Sequence, residues 1–323
     1  MILVTGGAGY VGSHVARTLQ GAGFETLILD NMELGNRFAV KDSPFAALDL
    51  RHTEKLLQLF RRHKFEAVLH FASYSLVGES VAEPLKYYSN NLESALSLLS
   101  CMRKTGVTKL VFSSSAGVYG VPEKFPVTED QPMNPCNPYG WCKLCIEKMI
   151  EGCARAWGLN AVSLRYFSAA GALPEAGLGE WHNPETHLIP NILRRFIGGS
   201  TEVHIFGNDY DTEDGTCVRD YVHVMDLARG HLAALEKMPD GGAALAFNLG
   251  SGQPFSNLEI ARKCAEVVGV KVDPAFKDRR PGDPPVLCAS SALAEKELGW
   301  APEESDLDSM IGSAYEFLQT MQA

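Results

Sequence analysis

Tyr139-Gly140-Trp141-Cys142-Lys143 sets a phenol and an ammonium at positions i and i+4, on one face of a helix. A phenol with its ordinary pKa of about 10 is a poor base near neutrality. A fixed positive charge nearby stabilises the phenolate and lowers that value, which would make Tyr139 a general base with Lys143 as its partner. The spacing alone is common by chance. It gains weight from Ser113-Ser114-Ser115, which closes an apolar run upstream of Tyr139. The C-terminal ends of parallel strands share one crevice, so Ser115 can hydrogen-bond the same substrate oxygen as Tyr139.

A second group has no acid–base chemistry of its own. Thr5-Gly6-Gly7-Ala8-Gly9-Tyr10-Val11-Gly12 follows an apolar run and opens a helical pattern. Gly6, Gly9 and Gly12 let the backbone turn tightly and approach a pyrophosphate, whose charge sits at a helix N-terminus. Asp30 ends the next apolar run. A carboxylate there accepts hydrogen bonds from an adenosine ribose and repels a 2′-phosphate, which favours NAD over NADP. Arg37 is near enough in sequence to keep NADP open.

These groups need elements to hold them. Apolar runs at 1–5, 24–30, 65–72, 107–114 and 159–167 read as strands. Helical spacing occupies 13–20, 53–63, 84–104 and 139–157 between them. Continuous apolar strands alternating with helices predict a doubly wound, Rossmann-type parallel sheet covered on both faces. After about residue 171 the rhythm breaks into Gly-, Pro- and acid-rich stretches, with helices at 189–197, 226–237 and 257–268. We expect an NAD-binding domain over 1–170 and a smaller α/β substrate-binding lobe over 171–323, with a segment near 216–250 returning to the first.

The 323 residues carry a formal net charge of −10, from 29 basic against 39 acidic side chains. Such a chain lacks the field that drives sequence-independent nucleic-acid binding. No apolar run approaches the roughly 18 residues of a spanning helix, and the start lacks a basic and apolar leader, so a cytoplasmic protein without a membrane partner is expected. The eight cysteines are expected to pack as small apolar residues. Cys142-x-x-Cys145 has no second half, and Asp209-x-Asp211-x-Glu213-Asp214-Gly215 lacks the glycine that a calcium loop needs at its sixth position, so no metal is expected. His223 reads as structural.

With these motifs in place, the chain resembles the extended short-chain dehydrogenase/reductases, and within them the UDP-glucose (UDP-galactose) 4-epimerases. The resemblance runs through residues 5–14, 29–31, 70–81, 87–91, 112–120, 138–143, 164–171, 205–227, 248–250 and 280–283, and is most specific over 206–221. It implies an isomerase that inverts C4 of a UDP-hexose through a transient 4-keto sugar, using tightly held NAD. It implies that Tyr139 takes the proton of the 4-hydroxyl, that Lys143 tunes Tyr139 and holds the nicotinamide ribose, and that Ser115 relays the proton. By the same resemblance, further NAD contacts fall on Tyr10, Val11, Asn31, Asp49, Leu50, Phe71, Ala72, Ser73, Asn91, Ser113, Tyr166 and Phe167. Those of the nucleotide sugar fall on Ser168, His187, Leu188, His204, Ile205, Phe206, Arg219, Arg280, Asp283 and Leu287. The guanidinium groups of Arg219 and Arg280 suit a diphosphate by charge and geometry. A homodimer through a helical face that includes 84–104 is also implied.

The chain departs from the family pattern at three places. Ser75 stands where many relatives carry a lysine, Ser168 replaces the asparagine of Tyr-Phe-Asn, and Leu287 stands where some relatives have a tyrosine. A leucine there leaves room for an N-acetyl group, so UDP-N-acetylhexosamines are alternative substrates; epimerisation of a UDP-pentose on the same scaffold is a further alternative. A dehydratase would carry Asp-Glu after the serine strand, where this chain has Ala116-Gly117-Val118. A non-catalytic NAD sensor would lack the tyrosine or lysine, and both are present.

Overall fold

The computed structural model describes residues 1–40, 43–280 and 283–321. The strands are β1 (Ile2–Thr5), β2 (Thr26–Asp30), β3 (Phe45–Ala47), β4 (Ala67–His70), β5 (Lys109–Ser115), β6 (Asn160–Tyr166), β7 (Ser168–Ala170), β8 (Glu202–Phe206), β9 (Val218–His223), β10 (Ala244–Leu249), β11 (Pro254–Ser256), β12 (Asp273–Lys277) and β13 (Val286–Leu287). The helices are α1 (Tyr10–Gly21), α2 (Thr53–Arg62), α3 (Val77–Ala82), α4 (Pro84–Thr105), α5 (Pro138–Trp157), α6 (Leu188–Ile197), α7 (Val224–Glu236), α8 (Asn257–Val268), α9 (Ala292–Leu298) and α10 (Leu307–Thr320).

Seven strands form one parallel sheet in the order β10-β6-β5-β4-β1-β2-β3. The buried strands carry apolar side chains to both faces, as the unbroken runs require. On one face Val15, Leu19, Leu227 and Leu235 of α1 and α7 close the core; on the other, Leu56, Phe60, Leu98, Met102 and Ile150 of α2, α4 and α5 do so. The chain order reverses between β1 and β4, and such a switch point opens a crevice at the strand C-termini. This is the doubly wound sheet expected from the alternation.

The second lobe is built from shorter pieces. β9 is flanked by β11, β13 and β7, β8 pairs with β12, and α6, α8 and α10 pack around a third core that includes Ile192, Ile260 and Phe317. The strand β10, late in sequence, adds to the edge of the large sheet beside β6. Short strands such as β3, β7 and β13 carry too few residues for a period to register, and the apolar pattern did not single them out. Helix α1 starts at Tyr10, earlier than expected, because Gly9 is already its N-cap. Among the described residues, no helix is long and apolar enough to cross a membrane.

Candidate active site

Helix α5 begins beside the end of β5, and local chemistry fixes that start. Asn137 caps it, its Oδ1 accepting from the Gly140 N–H at 2.9 Å, and Pro138 occupies the first turn. A Cβ on Gly140 would fall 2.5 Å from the Gly117 carbonyl oxygen, so only glycine lets the 116–118 turn lie against this helix. The close approach brings Ser115 to Tyr139, and their side chains hydrogen-bond. Ser115 Oγ also accepts from the Gly117 N–H at 3.0 Å.

Lys143, one turn on, is buried, and its Nζ donates to the Ser113 carbonyl oxygen at 2.7 Å. The ammonium lies 5.6 Å from the centre of the Tyr139 ring. Burial lowers its pKa to about 8, against the pull of Cys142 and Glu147. The Tyr139 phenol departs from expectation. Burial pushes it above its ordinary value, and the Ser115 hydrogen bond recovers only part of that rise. Removing a phenolate from water here, with Cys142 beside it, outweighs the hydrogen bond from Ser115.

Behind this pair lies a buried network that the sequence did not announce. Arg165 of β6 grips Glu147 of α5 with Nε at 3.0 Å and Nη2 at 2.6 Å. Ser114 Oγ donates to Glu147 at 2.5 Å, Arg165 Nη1 donates to Tyr119 at 2.8 Å, and Tyr119 donates to Asn248 Oδ1 at 2.7 Å. The catalytic helix is thereby tied to β5, β6 and β10.

The glycine loop has the form a dinucleotide needs. Gly6 has φ +70°, and a Cβ on it would fall 2.4 Å from the Ala72 amide nitrogen; one on Gly12 would fall 2.4 Å from the Gly6 carbonyl oxygen. The first turn of a helix leaves its N–H groups without carbonyl partners, and Gly9 brings no side chain to cap those of Tyr10 and Val11. Asp30 Oδ2 accepts from the Ala8 N–H at 3.1 Å and Oδ1 from that of Met32 at 2.9 Å, while burial raises its pKa. Asn31 donates to Asp49 at 3.2 Å, and Arg51 holds Asp49 in a two-point contact that keeps its carboxyl far below the usual range. Leu50 is buried next to it. Asn91 pins the segment after β4, bonding the Tyr74 amide at 2.9 Å and its carbonyl at 3.1 Å, and Ser73 Oγ donates to the same carbonyl at 3.0 Å. Phe71 and Tyr166 both contact the His231 ring. The Tyr10 hydroxyl turns away to donate to the Gly171 carbonyl at 2.6 Å. Arg37 reaches over the Phe45 ring, 5.9 Å from its centre. Backbone amides, close glycines and a ribose-side carboxylate together fit NAD.

Above the strand ends opens a cleft of about 660 Å³, counting its mouth. Its wall brings together Ser115, Tyr139, Tyr166, Phe167, Ser168, Arg219, Asp283 and Leu287 of the expected residues. It also includes Asn137, Asp220 and Cys136. Asn137 was legible as the cap before Pro138; Asp220 was not, because its partners, the N–H groups of Ser251, Gly252 and Ala289, come from distant loops. Cys136 is exposed in the cleft, which corrects its expected packing role, since it precedes the helix and faces no core. Other expected residues stand apart from this wall. Ile205 is buried in the core of the second lobe and has no side-chain surface to offer there, while Leu188, half-buried, packs against that core. His204 pairs with Glu202 at 2.5 Å, and Arg280 stacks over the Phe206 ring at 4.1 Å. Pro281 and Gly282, next to Arg280, lie outside the described residues. His187 lies between Glu180 and Glu185, which outweigh burial and push its pKa up to about 10. Arg219 is paired with Asp283 at 2.5 Å.

The decoys resolve in the same way. Asp214 holds Thr216 and Ser256, and Asp209 pairs with Arg279, so these acids are spent on the loop itself. His223 caps α7 through Met225.

Residues 2–250 match the model of the NAD dependent epimerase/dehydratase family. The chain is 46% identical to the UDP-glucose 4-epimerase of Halalkalibacterium halodurans, over 97% of this chain and 94% of that one. Its fold superposes on the UDP-glucose 4-epimerase of Bifidobacterium longum, solved in complex with NAD+ and UDP, with TM-score 0.95 and 37% identity over 99% and 98% of the two chains. The UDP-Glc/GlcNAc 4-epimerase of Campylobacter jejuni superposes with TM-score 0.85 and 37% identity over 99% of each chain. With its glycine loop, its Ser115–Tyr139–Lys143 group and this likeness along nearly its whole length, the chain belongs to the NAD dependent epimerase/dehydratase family.

Proposed function

We propose that the chain interconverts UDP-glucose and UDP-galactose by inverting C4, with NAD held throughout the cycle. The observation that carries this reading is the meeting of Ser115 and Tyr139 in the cleft wall at the end of β5, with Lys143 buried behind them, in a protein whose glycine loop fits NAD. NAD, when bound, would supply an acceptor and donor of hydride for C4, chemistry no side chain supplies. Tyr139 Oη receives the proton of the 4-hydroxyl, and Ser115, already bonded to Tyr139, holds the same oxygen. Lys143 keeps positive charge next to the phenolate that accepts this proton. Such positioned proton transfer contributes about 10²–10⁴-fold. The ketone left at C4 is planar, so a sugar that turns over inside the cleft and regains its hydrogen on the other face is inverted. Asn31, Asp30 and Asp49 hold the adenosine side, and Arg219 with Arg280 the diphosphate of the sugar nucleotide. Because Arg219 is paired with Asp283, sugar nucleotide must share or displace that carboxylate.

Residues 1–170, joined by the segment that includes β10, serve as the cofactor lobe, and the remainder as the substrate lobe. A homodimer forms through α3, α4 and α5, whose exposed Val81, Leu85, Leu96 and Trp141 would otherwise face water. We place the enzyme in the cytoplasm, where its nucleotide-sugar substrates are soluble metabolites. Leu287 in the cleft wall supports a second reading, acceptance of UDP-N-acetylhexosamines as well. The deciding experiment incubates the purified chain with UDP-galactose and no added NAD. UDP-glucose should accumulate to a fixed ratio. A requirement for stoichiometric external cofactor would overturn the reading in favour of net oxidation.

A further inference from the structure

The loop between β7 and α6 gathers Glu180, His182, Glu185 and His187, and one donor atom from each lies within 4.8 Å of every other. His182 Nδ1 is 3.5 Å from Glu180 Oε1 and 3.6 Å from Glu185 Oε2. His187 Nδ1 is 2.9 Å from Glu180 Oε1 and 3.3 Å from Glu185 Oε1. We propose that these four side chains form a structural site for a divalent cation of the zinc class.

Three features point to a cation. A tetrahedral ion with bonds of about 2.0–2.2 Å spaces its donors roughly 3.3–3.6 Å apart, and the histidine-to-carboxylate distances here, from 2.9 to 3.6 Å, are near that spacing. His182 Nδ1 is buried and has no hydrogen-bond partner, although it is aimed at two carboxylate oxygens. A buried nitrogen short of a full hydrogen bond is costly, and a cation between it and the two carboxylates would satisfy all three groups. Finally, the Glu185 carboxylate is set in place beforehand by the N–H groups of Thr186 at 2.9 Å, His187 at 3.0 Å and His182 at 3.3 Å. Hydrogen bonds of this kind orient ligands around metals.

Arg194 does not fill the gap. Its Nη2 comes to 3.7 Å from Glu185 Oε2, but its guanidinium stacks on the Trp181 ring at 4.0 Å and donates to the His182 carbonyl at 2.9 Å. Imidazole nitrogens with carboxylate oxygens suit zinc better than calcium or magnesium. Four protein donors leave no open position, which makes the site structural. The ion would fasten the loop that joins the lobes: Asn36, beyond the glycine loop, donates to the Trp181 carbonyl at 2.9 Å, and His187 is the N-cap of α6.

The test uses the full chain, stripped with EDTA and titrated with zinc chloride alone. Calorimetry and elemental analysis should give one ion per chain, and Co²⁺ in its place should show the visible band of tetrahedral coordination. Zinc should raise the thermal midpoint. His182→Gln and Glu185→Gln should each weaken zinc binding about tenfold or more, while Asp209→Asn in the exposed turn leaves it unchanged. Circular dichroism checks that the variants fold; if they do not, the wild-type stoichiometry and Co²⁺ spectrum decide. Absence of one-to-one binding, an octahedral Co²⁺ spectrum, or unchanged affinity in folded variants would overturn the site and leave a cluster held by protons alone. No sugar nucleotide enters these measurements, so their outcome is independent of the epimerase reading.

Discussion

Lys143 reaches from α5 to the main chain of β5, where its Nζ donates to the Ser113 carbonyl oxygen at 2.7 Å, and this bond fixes an ammonium 5.6 Å from the centre of the Tyr139 ring. The position is costly. Burial lowers the pKa of Lys143 to about 8, below the roughly 10.4 of an exposed lysine. Between those two values the unfolded chain binds more protons than the folded one, so this group's contribution to stability rises as pH increases from about 8 to about 10. Below that window the buried charge is a penalty of roughly 3 kcal/mol. Lys143→Met should remove the rise, measured as the difference in urea unfolding between wild type and variant at pH 7 and pH 10. Parallel pH dependence in the two proteins would show that the lysine is solvated.

Tyr139 carries a sharper expectation. Its phenol is bonded to Ser115 and can exchange a proton at C4, and phenylalanine keeps its packing. Tyr139→Phe should retain bound NAD and lose about 10²–10⁴-fold in kcat. Cofactor released on denaturation measures the first, and conversion of UDP-galactose the second. A variant within a few fold of wild type would remove Tyr139 from the proton path.

The Glu147–Arg165 pair behind the catalytic helix lies almost wholly out of water. Removing one partner strands the other, at a cost of about 3–5 kcal/mol. Arg165→Met should therefore lose most of the chain's stability, whereas the double change Glu147→Leu with Arg165→Met should recover much of it. Chemical denaturation of the three proteins gives the comparison. An Arg165→Met variant as stable as wild type would mean that Glu147 protonates or finds other partners at little cost.

What could be read from the chain was what local spacing encodes. The glycines at 6, 9 and 12, the carboxylate of Asp30 and the Tyr139/Lys143 interval each declare themselves within a few residues, and long apolar runs declare the sheet. Arg165, Asp220 and the Glu180–His187 cluster do not. Arg165 meets Glu147 only when β6 and α5 are packed, and Asp220 acts through amides of loops far along the chain. Glu180-x-His182-x-x-Glu185-x-His187 matches no familiar ligand spacing, and an irregular loop, with no helical period, brings its donors together. The sign of the Tyr139 shift was also out of reach, since it depends on how much water the fold removes, which residue types do not state. Side chains such as Ile205 were expected at the site and lie in the core, because family likeness marks a position and not the direction of its side chain.

Leu287 offers a test of substrate range that depends on size alone. It stands in the cleft wall with Ser168 and Phe167, half-buried, and its side chain ends well short of a phenol's reach. Leu287→Tyr adds bulk to a wall that an N-acetyl group would need and a hydroxyl would not. Turnover of UDP-N-acetylglucosamine should fall by about tenfold or more in kcat/KM while that of UDP-glucose changes little, a difference within reach of one steric clash. Assaying both sugars with both proteins separates the outcomes. Equal losses on the two substrates would mean that the change disturbs the cleft as a whole, and wild type inactive on the N-acetylated sugar would mean that Leu287 does not set the range.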